Sequence, residues 1–303
     1  MHLAEGILPW QQAVATSVAA VPLIVYGIRA SRGASTGQVG MATALLFAVT
    51  LFPVPVPVTG MTSHMCATPI LGLLFGPARM IVPTALVLLL QALFFAHGGL
   101  STLGANLLTL GFVGPICALG LARLLRTAGL KPVFAVAVAC AIGDLAVYVA
   151  DACLLATVLV PRSQMPVAAM KLLVAMAPAQ LPLALLEGFL SAALLAGLAK
   201  RDPTRIPVWL RPRFAPIGRH VGATILFVLI TMFPVAVRAS AWQGLDDSVL
   251  AKAAREKGRE PAPLFDLESG ELGKALFGGA MLVVGYFLGV GWKGLNQNAK
   301  RAP

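Results

Sequence analysis

The chain has 303 residues, 58% of them hydrophobic and only 12% charged, with a mean hydropathy of +0.85. Soluble domains carry about 25% charged residues, so this composition excludes an ordinary soluble protein and indicates a polytopic membrane protein. The net charge of +11 does not indicate nucleic acid, because the basic residues fall largely in short loops between apolar runs, as cytoplasmic loops do.

The chain opens with Met1-His2. A bulky second residue protects the initiator methionine from removal, which keeps the Met1 amine free. That amine, the His2 amide nitrogen and the His2 imidazole can close fused chelate rings around one metal ion. Such nitrogen ligands suit Ni(II), Co(II), Cu(II) and Zn(II), whereas Mg(II) and Ca(II) prefer oxygen. No cleavable signal peptide is expected, because the first eight residues hold Glu5 and no Lys or Arg, the opposite of a basic n-region. Arg29 and Arg32 follow the first apolar run, which predicts an outer amino terminus and an inner first loop. Ala15-x-x-x-Ala19 in that run permits close helix contact, either inside the protein or with a partner subunit.

Apolar runs predict spans over 9–29, 38–57, 65–77, 79–97, 104–125, 131–160 and 166–199. The run 65–77 is short for a hydrocarbon core of about 30 Å, but charge parity supports it. With it, Arg79, Arg123, Arg126, Lys131 and the segment Lys200 to Arg219 all fall inside. A re-entrant loop plus a half helix is the alternative, and it sets His64 deeper.

His64 lies in the stretch Thr59-Gly60-Met61-Thr62-Ser63-His64-Met65-Cys66, after Pro53, Pro55 and Pro57. Those prolines should stop the second helix and leave His64 near the outer side, where its nitrogen can complete a four-coordinate site with Met1 and His2. Read alone, the residue is equally a hydrogen-bonded loop histidine. Met65 and Cys66 add soft sulfur that Cu(I) would favour. His97 opens the segment His97-Gly98-Gly99-Leu100-Ser101-Thr102-Leu103-Gly104-Ala105-Asn106. The adjacent glycines allow a tight bend, so His97 is either a further ligand or a hydrogen-bond partner of one. Ser63 and Asn106 belong with it as supports of the site or additional ligands.

Asp144, Asp151 and Glu187 sit in apolar runs, where carboxylates are costly and often functional. Asp144 and Asp151 share a helix face. The three could form an ion path, or hydrogen-bond neighbouring helices. Cys66, Cys117, Cys140 and Cys153 show no CxxC spacing and read as packing residues. GxxxxGK[ST] and HExxH are absent, so neither motif argues for an enzyme, and ATP hydrolysis is not expected on this chain.

Residues 1–200 form one membrane domain in this reading, and 201–214 a basic, proline-containing linker. Residues 215–303 form a second unit, with spans over 217–238 and 274–292 around a polar outer loop, 239–273. That loop is expected to hold a helix over 248–257. His220, beside Arg219, reads as solvated.

The opening Met1-His2-Leu3-Ala4-Glu5-Gly6-Ile7-Leu8-Pro9, the stretch Gly72-Leu73-Leu74-Phe75-Gly76-Pro77, the segment Gln91 to Asn106, and Gly114-Pro115 resemble the CbiM/NikM family. These are substrate-capture components of cobalt and nickel energy-coupling factor (ECF) transporters. The resemblance covers about residues 1–200, and 215–303 is more weakly similar to the two-helix CbiN or NikN partner, here fused. It implies an all-α polytopic membrane fold with seven helices in the capture unit and two in the carboxy-terminal unit. It also implies that Met1 and His2 plug back into the protein and bind Co(2+) or Ni(2+) with His64. The implied partners are a CbiQ/NikQ-like transmembrane coupling subunit and a CbiO/NikO-like cytoplasmic ATPase pair, in a prokaryotic inner membrane. Ser63-His64-Met65-Cys66 departs from the family's Ser-His-Pro-Thr-Gly, which leaves cobalt against nickel open, with a slight lean to cobalt. Two other readings stand beside this one: an ion-coupled secondary transporter using the intramembrane carboxylates, and a membrane metal sensor or scaffold.

Overall fold

In a computed structural model, residues 2–32, 34, 36–56, 61–95, 97–211, 243–244 and 246–260 are described, together with residues 275, 279, 282, 283 and 286. The described part of the membrane domain is mostly helical. The helices are α1 (Trp10–Ser31), α2 (Thr36–Leu51), α3 (Thr68–Phe75), α4 (Pro77–Phe94), α5 (Leu103–Asn106), α6 (Gly114–Thr127), α7 (Pro132–Leu159) and α8 (Met165–Arg201). A π-helical stretch, Leu107–Val113, joins α5 to α6 without a break. Among the described residues, five helices are long and apolar enough to cross a membrane: Trp10–Ser31, Pro77–Phe94, Leu103–Thr127, Pro132–Leu159 and Arg162–Arg201.

Local chemistry explains the starts. Proline stands in the first turn of α3, α4, α7 and α8, where its missing N–H costs no hydrogen bond and its fixed φ suits a helix. The outward faces are apolar: Val18, Phe134 and Leu185 are 64%, 62% and 71% exposed, as lipid-facing residues must be. The inward faces carry small and polar residues. At Gly188 an added Cβ would lie 2.4 Å from the Ala137 carbonyl oxygen, so α7 and α8 meet backbone to backbone, an arrangement that only small residues permit.

Two expected spans take a different form. The second helix stops at Leu51, ahead of Pro53, and the chain continues as a strand, β1 (Val54–Val56), instead of running helical to residue 57. The run expected over 65–77 is an eight-residue helix, α3, in which Thr68 through Leu73 are all buried. Eight residues rise only about 12 Å, too short for a hydrocarbon core of about 30 Å, so α3 is a half helix preceded by a non-helical stretch. That stretch begins in β2 (Met61–Ser63), which pairs antiparallel with β1, Val54 opposite Ser63 and Val56 opposite Met61. A third short strand, β3 (Gln243–Gly244), pairs parallel with β2. The helix expected over 248–257 is a π-helical stretch, Asp246–Ala251, followed by one α-turn, Lys252–Arg255. Leu250 and Ala254 from it join a buried cluster with Leu155, Leu172 and Met176. His220, the spans 217–238 and 274–292, and most of 215–303 lie outside the described residues.

The two ends of the bundle differ in charge. Arg29, Arg79, Arg123, Arg126, Lys131, Lys200 and Arg201 gather at the end where α1, α6 and α8 finish and α4 and α7 begin. There Arg79 Nε donates to the Ala30 carbonyl at 3.2 Å, and the Arg123 guanidinium lies 5.8 Å from the Trp209 ring centroid. The opposite end, with Arg162 and Lys171 as its cations on α8 and the turn before it, holds His2, His64 and His97.

Candidate metal centre

The segment ahead of α1 folds back into the protein. Leu3 and Ile7 are buried there, and the turn between α4 and α5 holds the segment's backbone. Asn106 Oδ1 accepts from the Leu3 amide at 2.7 Å, and Asn106 Nδ2 donates to the Leu3 carbonyl at 3.1 Å. Thr102 Oγ1 donates to the same carbonyl at 2.6 Å. Further along, the Glu5 amide donates to the Gly98 carbonyl at 3.2 Å, and the Ser101 amide donates to Glu5 Oε2 at 3.0 Å. The two glycines act differently. Gly98 has φ +81, a conformation that L side chains rarely adopt, and a Cβ at Gly99 would lie 2.6 Å from Glu5 Cα. The amino-terminal segment therefore packs directly on bare backbone.

This clamp brings three histidines from distant parts of the chain together. His2, His64 and His97 each offer a ring nitrogen, and the three nitrogens lie within 4.8 Å of one another. The ring centroids stand 5.0 Å apart for His2 and His64, 4.4 Å for His2 and His97, and 5.1 Å for His64 and His97. His2 and His64 are 2% and 6% exposed. His64 Nδ1 lies 3.3 Å from the Met65 carbonyl, which leaves Nε2 as the nitrogen for a ligand. His97 Nε2 is buried with no protein partner. Burial pushes all three imidazoles below their ordinary value, His97 to about 3, and for His2 the neighbouring His97 adds to the effect. They are neutral at physiological pH, the form that ligates a metal. Met1, which would bring the amine, lies outside the described residues.

The other predicted residues divide between supports and a separate cluster. Asn106 and Ser63 both use their side chains on protein partners: Asn106 on Leu3, and Ser63 Oγ on Tyr148 Oη at 3.1 Å and Gln180 Oε1 at 3.4 Å. Asp144 and Glu187 are not at the imidazoles. Glu187 accepts from the Cys66 amide at 2.7 Å (Oε2) and the Ala67 amide at 2.9 Å (Oε1), while Gln180 Nε2 donates to Asp144 Oδ2. Cys66, Asp144 and Glu187 thus form a second buried group, with ligand-type atoms within 4.8 Å. Asp151 is fully buried on the same helix as Asp144. Thr102, Glu5, Tyr148 and Gln180 were not foreseen from sequence. Glu5 and Thr102 lie within the opening segment and within residues 97–106, whereas Tyr148 and Gln180 are polar residues whose partner, Ser63, is distant in sequence.

Comparison with known proteins gives a consistent set of likenesses. Residues 2–205 match the family described as CbiM, cobalt uptake substrate-specific transmembrane region. A cobalt transport protein CbiM of Geobacter sulfurreducens is 35% identical over 308 aligned residues, covering 97% of this chain and 89% of its own length. The cobalt transport protein CbiM of Moorella thermoacetica is 39% identical, covering 67% of this chain and 82% of its own. Among solved structures, a transition metal transporter superposes with a TM-score of 0.57 at 26% identity, over 66% of this chain and 93% of that one. A truncated transition metal transporter gives 0.56 over 65% and 98%.

Proposed function

The chain belongs to the CbiM family, and on that premise we propose that it captures Co(II) at the outer face of a prokaryotic inner membrane, using the Met1 amine, His2 and His64, with His97 as the third imidazole. That it is a multi-pass membrane component of cobalt transport follows from the family and the apolar helices. The observation supporting the capture site is the convergence of three neutral imidazoles from three segments of chain within 4.8 Å. Residues that merely packed would not need three exchangeable nitrogens turned to one point. Imidazole suits Co(II) and Ni(II) alike, so nickel is the competing cargo.

The basic end of the bundle is the cytoplasmic end in this reading, which puts the histidines and the amino terminus outside and the carboxy terminus inside. The chain is the capture component of an ECF-type transporter, with a CbiQ/NikQ-like coupling subunit and a CbiO/NikO-like ATPase pair supplying the energy. Residues 1–200 capture, 201–214 link, and 215–303 form a CbiN/NikN-like unit. Support for the last comes from the Geobacter relative, which aligns with nearly the whole chain, whereas the Moorella relative covers about two thirds of it. The carboxylate-relay alternative has less behind it, since both Glu187 oxygens already accept backbone N–H groups.

The test is elemental analysis of purified protein offered equal Co(II), Ni(II), Cu(II) and Zn(II), beside a variant with one residue added ahead of Met1. One equivalent of cobalt, lost on extension, is the expected result. Equal binding by both proteins would move the site away from the amino terminus, and no metal in either would return the secondary-transporter reading.

A further inference from the structure

The group formed by Cys66, Asp144 and Glu187 is buried, joins the stretch ahead of α3 to α7 and α8, and touches none of the three imidazoles through the contacts described above. Its connection to them is the backbone. Glu187, from α8, accepts from two successive amides, Cys66 and Ala67. Two successive amides that face one carboxyl group form a concavity of the kind found in tight turns and at helix amino termini. The chain turns sharply at the same point: Ala67, with φ 56, is the one non-glycine residue of positive φ among the described residues. A side chain there is held against its preference, and the surrounding contacts must maintain it. The Glu187 carboxylate also sits at the amino terminus of α3, where negative charge is favoured.

On the other side of His64, Ser63 is tied to Tyr148 of α7 and to Gln180 of α8, and Gln180 is itself held by Asp144. The residue immediately before His64 and those two and three places after it are therefore tied by hydrogen bonds to α7 and α8.

We infer that Glu187 is a positioning residue for metal capture: by gripping the Cys66 and Ala67 amides it fixes the loop that aims His64 at His2 and His97. This rests on the capture reading and adds to it the element that sets the third ligand. A consequence is that two anchors meet at one centre: His2 and His97 are set by the clamp around α5, and His64 by the loop tied to α7 and α8.

The experiment uses the full-length chain. Glu187→Gln keeps the shape but presents an NH2 group to one of the two amides, so one hydrogen bond must break. Ala67→Val disturbs the same contact from the opposite side, through a β-branched residue that resists positive φ, and leaves α8 untouched. Co(II) titration followed by visible absorption, with amide hydrogen exchange at Cys66 and Ala67, is the readout. Both variants should weaken Co(II) binding by about 10–100-fold, change the ligand-field spectrum and speed exchange at the two amides. The double variant should lose no more than the worse single one. If Glu187→Gln does not fold, Ala67→Val decides alone.

A folded Glu187→Gln protein with the parent's spectrum and affinity overturns the inference. So does a second Co(II) equivalent with a thiolate charge-transfer band that disappears in Cys66→Ser, because Glu187 would then be a ligand of its own site. Failure of the capture reading looks different: the parent protein takes up no Co(II), and slow exchange at the two amides that speeds in Glu187→Gln still reports the anchor.

Discussion

The amino-terminal segment and the His64 loop both deliver imidazoles to one point, but they are held by different forces. The first is clamped by neutral groups, with Asn106 and Thr102 on the Leu3 backbone, and by one contact from Glu5 to the Ser101 amide. The second is gripped by a buried carboxylate that takes two amides at 2.7 and 2.9 Å. The difference teaches how each half can be broken. The amino-terminal half rests on several dispersed contacts, so one substitution removes only part of its hold, whereas the anchor of the His64 half runs through the single side chain of Glu187.

The comparison breaks outright if the ligands are not ligands. His2→Ala and His64→Ala should each abolish cobalt accumulation in cells while the protein reaches the membrane at its normal level, as measured by metal uptake beside immunoblotting. Uptake at the parent rate in either variant removes the centre.

Next in size is the clamp. Asn106→Ala leaves the Leu3 amide buried without its acceptor, at a cost of about 1–3 kcal/mol, and should weaken Co(II) binding by about 10–100-fold. Asn106→Asp keeps an acceptor for the amide but loses the donor to the carbonyl, so it should fall between the two in the same titration. Gly99→Ala places a methyl 2.6 Å from Glu5 Cα, which should push the segment out and raise proteolytic cutting ahead of α1 without melting the bundle.

Acid sharpens the contrast more gently. The three imidazoles have lowered values in the docked state, whereas a solvated histidine sits near 6.5. Below about pH 6.5 the undocked form therefore binds more protons, and docking weakens as pH falls. Each imidazole contributes up to about 1.4 kcal/mol per pH unit, and for His97 that continues until its docked value of about 3 is reached. Above about pH 6.5 no dependence from these groups is expected. Protection of the Leu3 amide from hydrogen exchange, followed from pH 7.5 to 5, would show it; protection unchanged over that range would mean the segment does not undock. The smallest effect belongs to Tyr148→Phe, which removes one hydroxyl contact from Ser63 and should shift Co(II) affinity by less than about tenfold.

Much of this fold could be read from hydropathy, because a bilayer demands long apolar runs and the chain supplies them. The first, fourth, sixth and seventh expected spans match α1, α4, α7 and α8 to within a few residues. Hydropathy failed where length and burial part company. Residues 65–77 are apolar because α3 is packed inside the protein, and apolarity alone does not say whether lipid or protein is the neighbour. Met1-His2, His64 and His97 were recognisable because imidazoles are rare here. Their supports were not, since Thr102, Gln180 and Tyr148 are polar residues whose value depends on partners far away in sequence. Glu187 and Asp144 stood out as buried acids, but the run that holds them cannot show that one meets two amides of a loop some 120 residues earlier.

The π-helical stretch between α5 and α6 sets an angular phase. A widened turn holds one residue more than the α-helix needs, and each α-helical residue advances the axis by about 100°. Asn106 precedes the stretch, whereas Gly114, where an added Cβ would lie 2.8 Å from the Val147 side chain, follows it. With the bundle side fixed by that packing, the extra residue determines the direction in which Asn106 points. Losing a single residue between 107 and 113 would swing it off Leu3 while every apolar position downstream kept its neighbours. An alignment of relatives should thus tolerate exchanges in this stretch far more readily than changes in its length.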